Sequence, residues 1–166
     1  MIILMMGVSG CGKTTTGQAL AKTLGWPFTD GDDLHPEANV TKMASGEPLA
    51  DADRWPWIER IAQAMEGVQA RGDSAVFACS ALKEMHRRRM LEAGDVRVVY
   101  MKGDVATIAA RLAARSHRFM PATLLPSQFA ALEEPANALV VDIREDIPLQ
   151  ILRIRRGLDI SVPEQS

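Results

Sequence analysis

Lys13 and Thr14 close the stretch Gly7-Val8-Ser9-Gly10-Cys11-Gly12-Lys13-Thr14, and Thr15 follows them. This G-x-x-x-x-G-K-T spacing is that of a phosphate-binding loop. Glycine lets the backbone turn its N–H groups toward an anion and approach it without a Cβ clash. A helix starting at Lys13 would add the positive end of its dipole. Lys13 would reach the β- and γ-phosphates, and the Thr14 hydroxyl would ligate Mg²⁺. A glycine turn that binds nothing explains the glycines but not Lys-Thr at this offset. Alone, the loop implies a nucleoside triphosphate and no particular reaction.

A second set of candidates follows in "TDGDDLHPEANVTKMASGEPLADADRWPW". If the preceding residues form a strand beside the loop strand, Asp30 and Asp32 stand at its carboxyl end. One carboxylate could hold hydrated Mg²⁺ while the other takes a hydroxyl proton during phosphoryl transfer. An ordinary Asx turn with solvated carboxylates reads equally well. His35 and Arg54 are not placed by spacing alone. In "CSALKEMHRRRML", Lys83 and Arg87 are four apart and predict one basic helix face suited to an anionic substrate. Arg111 and Arg115 in "RLAARSHRF" are also four apart, at the end of a predicted helix. They suit adenine stacking or bidentate phosphate contact, or simply favour the helix dipole.

These residues need a frame. Apolar runs without alternation predict strands at Ile2–Met6, Trp26–Thr29, Ala75–Cys79, Val96–Met101 and Ala138–Val141, as for parallel strands buried on both faces. Helical patterns fall between them at Lys13–Leu24, about Asp53–Arg71, Leu82–Ala93, Val105–Arg115, about Ser127–Glu133 and Leu149–Gly157. In the second helix Trp57, Ile58, Ile61, Met65 and Val68 share one stripe. The order predicts a single α/β domain over 1–166, a parallel sheet with helices on both faces. Asp30–Asp53 and Ser116–Pro126 fit no element, and long irregular segments in a compact domain are usually functional. They are the expected acceptor region and lid.

Composition narrows the partners. The net charge of −2 gives no global reason to bind nucleic acid or an anionic membrane. No apolar run approaches the roughly 20 residues of a membrane span. Cys11 and Cys79 read as free thiols of a cytoplasmic protein rather than a disulfide.

Taken together, the motifs resemble the gluconate kinases, a family of P-loop small-molecule kinases. The resemblance rests on "GVSGCGKTT", the long "DGDDLHPEANVTKMASGEPLADADRWPW", "CSALKEMHRRRM", "YMKGD", "RLAAR", "FMPATLLPSQFAALEEP" and "VVDI". It implies a nucleoside-monophosphate-kinase-like α/β/α fold with five parallel strands, an acceptor region near 30–54 and a lid near 116–126. It also implies ATP, Mg²⁺, D-gluconate as acceptor, 6-phosphogluconate as product, and a homodimer. By the same resemblance Asp32 is the base and Asp30 lies near the metal. His35, Arg54, Lys83 and Gln128 then serve the acceptor, with Arg87 added from its basic face shared with Lys83, and Arg111 and Arg115 cover the nucleotide. One departure stands out: Ser116-His117-Arg118-Phe119 displaces the family's lid histidine by one place, with Arg118 where it would be. Two other readings compete with this one: a kinase for another small anion such as shikimate, and a nucleotide-binding regulator without an acceptor.

Overall fold

The computed structural model describes residues 1–114 and 124–161. Its sheet has five parallel strands in the order β2-β3-β1-β4-β5. They are β1 (Ile2–Met6), β2 (Phe28–Asp30), β3 (Ala75–Ala78), β4 (Val96–Lys102) and β5 (Leu139–Asp142). The helices are α1 (Lys13–Leu24), α2 (Glu37–Ala44), α3 (Asp51–Ala70), α4 (Glu84–Leu91), α5 (Val105–Ala113), α6 (Leu125–Ala131) and α7 (Ile147–Gly157).

The strands are continuous apolar runs because both faces are covered. β1 is wholly buried at the centre, and successive side chains go to opposite layers. Ile3 and Met5 join Leu20, Leu24, Val76, Val99 and Ile154 on the side of α1 and α7. Ile2, Leu4 and Met6 join Ile58, Ile61, Met65, Phe77 and Met90 on the side of α3 and α4. Truncating any one of these large aliphatic side chains to Ala would cost about 2–5 kcal/mol. The apolar stripe expected on the second helix is the buried face of α3.

The stretch 30–53, expected to be irregular, is mostly ordered as short helices. A 3₁₀ turn at Gly31–Leu34 leads through Pro36 into α2, and α3 begins at Asp51 rather than near Asp53. Eight residues of α2 are too few for a clear apolar period. The start of α3 is fixed by Asp53, whose carboxylate accepts the Ala50 N–H at 2.8 Å. Pro56 lies inside α3, where it removes one intrahelical donor. The other boundaries move by a few residues, as helix ends do. α4 begins at Glu84, which makes Lys83 its N-cap.

Candidate active site

The phosphate loop joins β1 to α1. Gly12 is the N-cap of α1 at φ +99°, a conformation that favours glycine and lets the chain swing into the helix. Val8 and Cys11 are buried in the core, which anchors the loop from beneath. The Lys13 ammonium folds back over the loop and donates to the Val8 carbonyl at 3.0 Å. Thr14 and Thr15 are exposed on the first turn of α1. The Thr14 hydroxyl donates to Asp30 Oδ2 at 2.7 Å, so the loop and the end of β2 meet.

Asp30 also builds the Asx turn expected from its surroundings, accepting the Asp32 N–H at 3.1 Å. The turn and a site are therefore compatible: one carboxylate oxygen shapes the chain and the other faces Thr14. Gly31 is required between the two aspartates because a Cβ there would lie 2.7 Å from the Ala78 carbonyl of β3. The Trp57 indole donates to the Gly31 carbonyl at 2.6 Å and hangs the turn on α3. Asp32 projects into the crevice, open to solvent on one side. Desolvation by the surrounding protein, followed by the charge of Asp30, raises its pKa above the ordinary carboxylate value, and Lys13 opposes both. A carboxylate with a raised pKa is a better proton acceptor.

Beyond this turn His35 stacks on Trp57 with centroids 4.1 Å apart. Burial, then the Arg54 guanidinium, pulls the His35 pKa down to about 4, so the ring is neutral at pH 7. Asn39 is buried, and its amide donates to the Asp53 carbonyl at 2.9 Å. Arg54 from α3 and Lys83 from the N-cap of α4 come together, joined through Asp51. Lys83 Nζ lies 2.7 Å from the Asp51 carboxylate, and Arg54 Nη1 lies 3.5 Å from it.

Arg87 departs from the expected shared basic face. Lys83 is a cap rather than a helical residue, and the buried Arg87 guanidinium turns inward to the carbonyls of Ala81 and Leu82 at 2.8 and 2.9 Å. It holds the β3–α4 loop that presents Lys83. Gln128, on α6, reaches the phosphate loop, where its Oε1 accepts the Ser9 N–H at 2.6 Å. Arg111 reaches across to donate to the Ile143 carbonyl, beside Gly12. Arg115 and residues 116–123 of the expected lid lie outside the described residues.

Sequence reasoning missed Asp51, Trp57 and Asn39 as parts of this crevice. Trp57 sits on the core stripe, and only its indole N–H signalled a polar partner. Asp51 fell in the stretch 30–53, and nothing in its spacing singled it out. The continuous set Thr14, Asp30, Gly31, Trp57, His35, Arg54, Asp51 and Lys83 runs from a phosphate cradle to a cationic clamp, with Asp32 near Asp30 and Lys13 at the phosphate end. Such a crevice can hold a triphosphate at one end and a small anionic molecule at the other.

Comparison with known proteins agrees with this reading. The sequence model of the shikimate kinase family matches residues 9–138. The gluconokinase of Gluconobacter oxydans (strain 621H) is 47% identical, over 81% of this chain and 76% of its own length. The thermosensitive gluconokinase of Escherichia coli (strain K12) is 42% identical, over 87% of this chain and 80% of its own. The crystal structure of a gluconokinase from Sinorhizobium meliloti 1021 superposes with a TM-score of 0.84 at 36% identity, covering 95% and 90% of the two chains.

Proposed function

This chain belongs to the gluconokinase family, within the wider shikimate kinase group of P-loop kinases, and from that premise we propose how it works. The enzyme is a gluconokinase: ATP gives its γ-phosphoryl group to D-gluconate, forming 6-phosphogluconate and ADP. The 6-hydroxyl is the acceptor atom.

Loop amides, the α1 N-terminus and Lys13 hold the β- and γ-phosphates. Lys13 leaves the Val8 carbonyl to do so. Thr14 and Asp30 suit Mg²⁺, because they offer two adjacent oxygens 2.7 Å apart while leaving room for the waters this ion keeps. No group of three or more acidic, His or Cys side chains forms a metal cage among the described residues. When bound, the ion would neutralise charge on the phosphates. Asp32 orients the acceptor hydroxyl and takes its proton late in transfer. Arg54 and Lys83 bind the gluconate carboxylate, and the neutral His35 offers a hydrogen bond to a hydroxyl. Arg87 serves the acceptor by holding the Lys83 loop, Gln128 by joining α6 to Ser9. Arg111 lies over the nucleotide, and Arg115 would act with it.

The observation that carries this reading is the unbroken run of contacts from the Thr14–Asp30 pair through Trp57 and His35 to Arg54 and Lys83, with Asp32 beside Asp30 and Lys13 at its phosphate end. The family match to shikimate kinases favours a second reading, in which another small anion is the acceptor. ADP release with gluconate, shikimate, glucose and no acceptor decides between them. Turnover with gluconate alone is expected. Turnover with shikimate alone would establish the second reading, and ATP hydrolysis indifferent to every acceptor would leave a nucleotide-binding regulator.

A homodimer in the cytoplasm belongs to the same proposal. The two buried free thiols support a reducing compartment, and sedimentation tests the assembly. No described helix is long and apolar enough to cross a membrane.

A further inference from the structure

Asp51 places one carboxylate between two cations. Lys83 Nζ lies 2.7 and 2.9 Å from its oxygens, and Arg54 Nη1 lies 3.5 Å from Oδ1. The Asp51 side chain is 44% exposed, so this junction faces the solvent from which a ligand arrives. The imidazoles beside it add no positive charge at neutral pH. His35 is held near 4, and burial lowers His86 as well, against the opposing charges of Asp51 and Glu133. The nearby Lys42 is paired with Asp53 at 2.7 Å, and Arg89 with Glu59 and Glu66. Two cations and one carboxylate leave the clamp with a single net positive charge.

We propose that Asp51 is a specificity-determining residue: it sets the clamp charge to match an acceptor carrying one carboxylate, and it disfavours dianionic sugar acids. This rests on reading Arg54 and Lys83 as the acceptor clamp. An entering carboxylate meets two attractions and one repulsion. A second negative charge on the ligand, held farther off, adds a weaker repulsion of its own, so Asp51 weighs more heavily against a dianion than against a monoanion. Removing its charge strengthens binding of the dianion by the larger factor.

The test measures competitive inhibition constants against gluconate, at fixed neutral pH and ionic strength. One inhibitor is a 6-deoxyaldonate with one carboxylate, and the other an aldarate with two. Asp51→Asn is expected to shift the ratio of the two constants toward the aldarate by about two- to fivefold, the scale of one longer-range unit-charge interaction in a half-solvated site. Asp51→Glu, which keeps the charge, is expected to leave the ratio near that of the unaltered enzyme. Asp51→Ser serves as a second neutral variant, since serine is accepted in a helix first turn. An unchanged ratio in both neutral variants would overturn the proposal, as would failure of both to fold, which would assign Asp51 to stability. Arg54→Ala and Lys83→Ala test the underlying reading separately. If neither raises the gluconate KM, the clamp itself is wrong; if they do and the ratio stays fixed, only the role of Asp51 is.

Discussion

The Thr14 hydroxyl donates to the Asp30 carboxylate at 2.7 Å, fastening the first turn of α1 to the end of β2. Two oxygens from separate elements are thereby set side by side at the phosphate loop. If they hold Mg²⁺, Asp30→Asn raises the Mg²⁺ concentration needed for half-maximal turnover, and excess Mg²⁺ restores much of the rate. A Mg²⁺ titration of turnover checks this, and an unaltered midpoint would remove Asp30 from the metal.

The Lys13 ammonium bonds within its own loop, to the Val8 carbonyl at 3.0 Å and to the Cys11 sulfur at 3.9 Å, and Lys13 itself is not part of the buried core. Lys13→Met therefore abolishes turnover while leaving thermal unfolding cooperative and its midpoint within a few degrees. Measured turnover near the normal rate would refute the phosphate role.

Asp32→Asn retains the size and one acceptor oxygen but loses the charge. We expect kcat to fall by about 10²–10⁴, or roughly 3–5 kcal/mol of transition-state stabilisation, with ATP affinity little changed. The raised pKa adds a stability prediction. Between the ordinary value of 3.8 and the raised folded value, the native state binds the extra proton. Stability from this group thus falls as pH rises through that window and stays lower above it. The Asn variant should melt higher than the unaltered protein at neutral pH while being nearly inactive. A lower melting point would contradict the electrostatic account.

His35 carries the opposite linkage. Its pKa falls from 6.5 to about 4 on folding, so below pH 6.5 the unfolded chain binds a proton that the native state refuses. Stability should decline as pH falls from 6.5 toward 4, with no contribution from this residue above that range. His35→Gln is expected to flatten that part of the curve in denaturant titrations across pH. A curve of unchanged slope would mean that the ring is already protonated in the native state.

Trp57→Phe keeps the ring against the core but loses the indole N–H to Gly31 at 2.6 Å. The carbonyl keeps its bond within the 3₁₀ turn, so the loss is that of one hydrogen bond, about 0.5–1.5 kcal/mol. Because that carbonyl belongs to the turn bearing Asp32, kcat should fall together with stability. A loss of stability with full kcat would separate Trp57 from the positioning of Asp32.

The phosphate loop was legible from the sequence because its chemistry is local. Its glycines, Lys13 and Thr14 lie within eight consecutive residues, and the helix dipole follows from the same stretch. The strands were legible because burial on both faces leaves uninterrupted apolar runs. The long acidic motif and the "CSALK" segment carried the family resemblance, and the comparisons agree with it. Tertiary structure decided how those segments meet. Thr14 and Asp30 are 16 residues apart and Asp51 and Lys83 are 32 apart, and no periodicity relates them. Parallel pairing of β2 with β3 brings Asp30 to the loop, and packing of α3 on α4 brings Lys83 to Asp51. Helical spacing could place Lys83 and Arg87 four apart but could not tell a cap from a helical residue. Nor could it show a guanidinium turning inward, since both depend on where the β3–α4 loop leaves unpaired carbonyls. Local spacing specifies what a backbone segment can bind; which side chains share a ligand is set by long-range packing, where burial and carbonyl pairing outweigh helix phase.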